Sequence, residues 1–233
     1  MESIDKVNGT FGRRPTDQKG EVPSAVIRRL PRYHRYLGEL IRSGEKRISS
    51  GKLASIMGVT ASQIRQDLNC FGGFGQQGYG YNITYLYDKI SELLGVKENY
   101  TAVIVGAGNL GRALASTHMF ERRGVERVAM FDVKEDVVGT TMYGLPVYHV
   151  STLADFCREN GVHIAVLTVP KEAASDIVDA LIGAGIKGIW NFANMELKAE
   201  APGVIVENIH LGDSLMALCF GIKTENEKDK NND

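Results

Sequence analysis

The sequence predicts an α/β protein of two domains, a small helical N-terminal one and a larger C-terminal doubly wound parallel sheet. Three observations predict it. Charge is divided: residues 1–70 hold 13 Lys and Arg against 7 Asp and Glu, whereas residues 71–233 hold 14 against 21, so a basic module precedes an acidic body. Near Thr101 the apolar residues change from helical spacing to alternating strands and helices. At that change stands a glycine fingerprint, GAGNLG. At 233 residues, 43% of them hydrophobic, the chain can fill two modest cores.

Residues 1–20 are polar, carry Gly9, Gly12, Pro15 and Gly20, and read as a flexible arm. The first domain is expected over 21–95. Val26, Ile27, Leu30, Tyr33, Leu37, Leu40 and Ile41 recur at helical spacing, with Pro31 marking a break and Gly44 closing the stretch. Two short helices follow, Ser50 to Met57 and Thr60 to about Asn69, with Gly58 and Val59 as the turn. Thr60 and Gln63 match a capping box, in which each side chain would serve the other residue's backbone amide.

Leu53, Ala54, Val59, Ile64 and Leu68 would let the two helices pack across each other. That is the pattern of a helix-turn-helix, which leaves Ser62, Gln63, Arg65 and Gln66 near the outer face of its second helix. Gln and Arg there suit base edges, and Ser62 and Lys52 suit phosphates. Arg29, Tyr33, Thr60 and Tyr79 complete the expected DNA-facing set. A small helical hairpin in any bundle would show some of these features; length, turn, cap and excess positive charge together favour double-stranded DNA. The segment FGGFGQQGYGYN sets aromatics between glycines, as the glycine-turned hairpin of a winged helix does, although a linker would tolerate the same glycines. A helix from Ile83 to Leu94 and a boundary within GVKENY close the domain.

The second domain is expected over 96–210. The strand TAVIV leads into the fingerprint and a helix from about Leu110 to Glu121. Gly106 makes the tight turn, Gly108 lets the backbone approach a pyrophosphate, and Gly111 lets helix pack on strand; Ala107, Asn109 and Leu110 complete that loop. A second strand ends in Asp132, 21 residues past Gly111, followed by Val133 and Lys134. A carboxylate there accepts from a ribose hydroxyl and repels a 2′-phosphate, which favours NAD(H) over NADP(H). Strands HIAVLTV, GIWNF and GVIVEN alternate with helices near 152–160 and 171–184. Thr168, Val169, Pro170, Asn191, Phe192 and Ala193 fall at strand C-terminal ends, where such sheets bind ligands, and are candidates for the nicotinamide half of the site. A last helix over 211–223 and a disordered tail over 224–233 follow.

A dehydrogenase would also need an acid–base group and a carbonyl-polarising group, and no convincing set is found. His118, His149, His163 and His210 are scattered. Tyr85 and Lys89 fit Y-x-x-x-K but precede the fingerprint, and the match is read as chance. Cys70, Cys157 and Cys219 form no metal-like or disulfide pattern, no run approaches a membrane span, and a cytoplasmic, metal-free protein is expected.

The segments VPSAVIRRLPRYHRYL, LASIMGVTASQIRQDL, FGGFGQQGYGYN, VIVGAGNLGRALA, FDV, LTVPKEAA, AGIKGIWNFA and LCF together resemble one family, the redox-sensing transcriptional repressor Rex, over about residues 22–222. The resemblance implies a homodimer that binds a pseudo-palindromic operator when NAD⁺ is high and releases it when NADH rises. It also implies that the last helix is exchanged between subunits, bringing Phe220 near the partner's nicotinamide. Two departures from the family pattern stand out: Ser116-Thr117 where Asn-Tyr is common, and Gln66 where Lys is usual. Two alternatives stay open, a nicotinamide-dependent oxidoreductase with an appended DNA-like domain, and a regulator of another adenine-containing ligand such as coenzyme A.

Overall fold

Two separate sets of hydrophobic interiors form, one on each side of a boundary between Glu98 and Asn99, which lies within GVKENY. The computed structural model describes residues 22–72, 75–76, 80–198 and 201–232. The expected N-terminal arm and Tyr79 lie outside the described residues.

In the first unit, α1 (Ser24–Arg42) buries Val26, Leu30, Tyr33 and Leu37 along one stripe. It runs unbroken through Pro31, against the expected break. Pro31 is exposed, so water can satisfy the carbonyl that loses its amide partner, and the buried stripe on either side holds the helix together. Next come β1 (Arg47–Ile48), α2 (Ser50–Met57) and α3 (Ala61–Asn69). Gly58 caps α2 in the left-handed region (φ +66°). Thr60 caps α3 by accepting from the Gln63 amide at 3.1 Å. The reciprocal half of the capping box does not form, because the Gln63 side chain bonds elsewhere.

Strands β2 (Gly75–Gln76) and β3 (Gly80–Asn82) make the expected hairpin, and β1 joins it to give a three-stranded sheet ordered β1-β3-β2. The helix α4 (Ile83–Leu93) then packs Leu86 and Ile90 into the same core as Leu30, Leu37, Leu53, Ile64 and Leu68. Four helices and a small β-sheet around one core make a winged helix-turn-helix.

The second unit opens with β4 (Tyr100–Val105), whose last four residues are buried on both faces, as a central parallel strand requires. The following α5 (Asn109–Ala115) is shorter than its sequence suggests. The Ser116 and Thr117 hydroxyls donate back to the carbonyls of Ala113 and Leu114, and Arg127 donates to the Ala115 carbonyl, so the next turn loses its helical partners. After β5 (Val125–Asp132) comes a hairpin that the sequence reading missed, β6 (Thr141–Met142) and β7 (Leu145–His149). Its two-residue turn is Tyr143-Gly144, both at positive φ.

The chain continues through α6 (Leu153–Glu159), β8 (Ile164–Leu167), α7 (Lys171–Gly183), β9 (Gly188–Asn191), β10 (Ile205–Asn208) and α8 (Leu211–Asn232). The sheet order β10-β9-β8-β4-β5-β7-β6 is parallel except at the β6 edge. It is the doubly wound order, reversing direction between β4 and β8. Contrary to the expected disordered tail, α8 continues past Thr224, supported by Lys228–Glu225 and Lys223–Glu227 pairs one turn apart.

Candidate nucleotide and nucleic-acid sites

The crevice of the second unit lies where the sheet reverses, between the C-terminal ends of β4 and β8. Its shape comes from missing side chains. Gly106 holds φ +104°, and a Cβ there would stand 2.8 Å from the Thr168 carbonyl oxygen. At Gly111 a Cβ would lie 1.9 Å from the Gly106 carbonyl oxygen, so only glycine lets α5 approach the strand. Above Gly108 the space is open, with nothing within 4 Å of an added Cβ. The two crowded glycines shape the loop, and the open one gives a phosphate access to backbone.

Polar groups hold that loop from three sides. The Thr168 hydroxyl lies 3.0 Å from the carbonyl oxygen of Val105 and 2.9 Å from that of Gly106, tying the end of β8 to the end of β4. Asp132 accepts from the Ala107 amide at 2.6 Å and the Lys134 amide at 2.9 Å. Arg112, which sequence reasoning passed over, donates through Nε to the Ala107 carbonyl at 2.7 Å. Asp132 is half-buried and each of its oxygens keeps a second acceptor site, so it can still take a ribose hydroxyl. Asn109, Val133, Lys134 and Pro170 are exposed at the rim, while Leu110 and Val169 are half-buried.

The third strand end needs correction. Asn191 is fully buried, donating to the Met195 carbonyl and to Asn208 Oδ1 and accepting from the Ala193 amide. It braces the turn after β9 and has no face for a ligand. Ala193 is buried beside it, and Phe192 is half-buried with its ring against Trp190. Phe220 stands 71% exposed on α8, so its own chain does not bury it.

The scattered histidines gain no catalytic setting: His163 sits 2.9 Å from the Thr101 hydroxyl, His149 2.8 Å from that of Ser151, and His210 3.0 Å from Glu196. Tyr85 and Lys89 belong to α4, in the unit without the fingerprint. Burial pushes the Cys157 thiol up to about 11, away from reactivity.

In the first unit, Ser62, Arg65 and Gln66 are exposed on α3, and Thr60 at its cap. Arg65 donates to the Ser50 hydroxyl at 3.2 Å, and exposed Lys52 pairs with Glu45 at 2.8 Å. Tyr33 does not face outward: it is fully buried and donates its hydroxyl to Asp67. Helical spacing placed it on the apolar stripe, and the stripe won.

Asp67 is the residue the sequence did not single out. It is 1% exposed and accepts four hydrogen bonds: Arg29 Nε and Tyr33 Oη at 2.7 and 2.8 Å on Oδ2, and Arg29 Nη2 and Gln63 Nε2 at 2.7 and 2.8 Å on Oδ1. Burial alone would raise its pKa, but the bonds from Arg29, Tyr33 and Gln63 outweigh it and hold the carboxyl below its ordinary range. The same pair raises the Arg29 pKa.

Comparison with known proteins supplies the rest. The family described as "CoA binding domain" matches residues 97–195, and "Putative DNA-binding protein N-terminus" matches 21–69. A redox-sensing transcriptional repressor Rex from Clostridioides difficile is 50% identical over 87% of this chain and 96% of its own. That of Thermoanaerobacter pseudethanolicus is 48% identical over 89% and 92%. The chain belongs to the Rex family. A solved Rex-family repressor called RSP has the same fold: its complex with β-NAD⁺ and operator DNA superposes with a TM-score of 0.83 at 48% identity, covering 91% of this chain and 97% of that one. Its complex with β-NADH matches equally well, with a TM-score of 0.83 at 45% identity over 91% and 99%. The Rex relatives are named as transcriptional repressors.

Proposed function

We propose that the chain is a transcriptional repressor that reads the NADH/NAD⁺ balance, binding double-stranded operator DNA through its winged helix-turn-helix at low NADH and leaving it when NADH binds. The carrying observation is that one chain holds both a capped second helix with Ser62, Arg65 and Gln66 exposed and a fingerprint with open space over Gly108 opposite the Asp132 carboxylate.

The dinucleotide's pyrophosphate fits over Gly108, and Asp132 accepts from the adenosine ribose. The same carboxylate disfavours a ribose phosphate, which sets NAD(H) ahead of both NADP(H) and coenzyme A. Thr168, Val169, Pro170 and Phe192 border the nicotinamide end. The bound nucleotide supplies no chemistry to the protein; its oxidation state is the signal.

The working form is a homodimer. On α8, Leu211, Leu215, Leu218 and Ile222 recur at helical spacing and are at least 54% exposed, as are Met216 and Phe220. A second copy is the natural cover, and it would place Phe220 against the partner's nicotinamide. Two winged units then meet half-sites about one helical turn, or a multiple, apart. NADH must bind the DNA-incompetent dimer more tightly, and a coupling of about 1–3 kcal/mol would change operator affinity roughly 5- to 150-fold. A repressor on bacterial DNA works in the cytoplasm, and no metal enters this scheme.

Calorimetric titration of the full chain with NADH, NAD⁺, NADPH and coenzyme A tests the ligand half of this reading. It predicts NADH tightest and the two ribose-phosphorylated ligands weakest. Tighter coenzyme A binding would assign the crevice to the other ligand that its family description suggests.

A further inference from the structure

Asp67 does more than join two helices. We infer that Asp67 fixes the side-chain amide of Gln63 so that this position of α3 reads adenine. The inference rests on the operator-binding reading above and adds a specificity determinant to it.

An ionised carboxylate can only accept, so the Gln63 atom 2.8 Å from Asp67 Oδ1 must be Nε2 and not the amide oxygen. The carboxylate has about four acceptor sites, and Arg29, Tyr33 and Gln63 fill them with four bonds. Asp67 is itself buried, so it cannot turn away to water. One Gln63 N–H is therefore committed. What is left is one N–H donor and one carbonyl acceptor.

That pair complements the major-groove edge of adenine, whose N7 accepts and whose N6 amino group donates. Guanine presents two acceptors, O6 and N7, and would set one of them against the Gln63 carbonyl. A free glutamine could give both of its amide N–H donors to those two acceptors. One anchored by Asp67 cannot. Asp67 is a positioning residue: Gln63 meets the base, and Asp67 decides which way Gln63 faces.

The test uses the full-length chain and duplexes carrying half-sites selected by the wild type from random DNA, each base pair then varied in turn at fixed salt. Wild type should show one position where adenine is preferred by about tenfold or more, lost in Gln63→Ala. In Asp67→Asn the neutral amide can donate as well as accept, Gln63 can face either way, and that preference should fall about tenfold while affinity for non-operator DNA changes by less than about twofold. Retained adenine preference in Asp67→Asn overturns the inference, as does an equal loss on every sequence. No selected half-site at all for the wild type would instead remove the operator-binding reading. Should Asp67→Asn fail to fold, the wild type decides by NMR: the Gln63 side-chain amide should give one proton protected from exchange and one not, and two equally exchanging protons would overturn it.

Discussion

The two sites are built by opposite means. Around the nucleotide crevice, function comes from side chains that are missing: Gly106, Gly108 and Gly111 leave room for backbone and phosphate, and few polar groups hold the loop. Under the DNA-facing helix, function comes from side chains that are crowded: one buried carboxylate gathers a guanidinium, a phenol and an amide from two helices. The steric cradle tolerates no added atom at Gly106 or Gly111, where a Cβ would meet backbone oxygen. A saturated hydrogen-bond hub tolerates no loss of a partner, because buried donors left unpaired are costly.

If this contrast is right, Gly111→Ala adds the more damaging methyl of the two crowded glycines in the fingerprint. Its Cβ would meet the Gly106 carbonyl oxygen at 1.9 Å, and the fingerprint must move; the expected cost is about 3 kcal/mol or more, with NADH binding lost in calorimetry while non-operator DNA is still bound. Gly108→Ala separates fit from fold: nothing in the protein opposes its Cβ, so thermal stability should stay near wild type while nucleotide affinity drops.

In the other unit, Asp67→Ala leaves the Tyr33 hydroxyl and part of Arg29 unpaired in the core, and chemical denaturation should register a loss of about 3 kcal/mol. The pH dependence has a definite sign. Because the folded carboxyl titrates below its unfolded value of about 4, its contribution is complete above that pH and is lost as pH falls through the folded-state pKa. Acid unfolding of the wild type should therefore steepen below about pH 4, and Asp67→Ala should flatten that limb.

The smallest effect is expected at the surface. Lys52 is exposed and its partner Glu45 is only half-buried, so Lys52→Ala should hardly change stability. It should weaken all DNA sequences about equally and lower the salt slope of binding by about one. A sequence-selective loss would move Lys52 from phosphate to base contact.

The same contrast explains what could be read from the chain beforehand. The fingerprint was legible because its requirements are local: strand, three glycines and helix fall within residues 100–115, and each glycine has one steric reason. The helix-turn-helix was legible from the Thr60 cap and Gly58 turn for the same reason. Asp67 was not, because its partners Arg29 and Tyr33 lie 38 and 34 residues away, and nothing in RQDLN distinguishes a buried acid from a solvated one. The misplacement of Tyr33 follows from that omission: an aromatic hydroxyl on an apolar stripe is buried only if something there accepts from it. Asn191 was misjudged likewise, since its bond to Asn208 joins two strands that sequence alone does not place side by side. The β6–β7 hairpin escaped because its turn has Tyr143 where Asn or Asp more often takes positive φ.

The most direct test follows fluorescence anisotropy of a labelled duplex from the chain's own promoter region, at fixed salt, as NADH or NAD⁺ is titrated into the complex. The account predicts release by micromolar NADH and none by NAD⁺ at the same concentrations. Binding indifferent to both would contradict it, leaving a DNA-binding unit and a nucleotide cradle on one chain with no coupling between them.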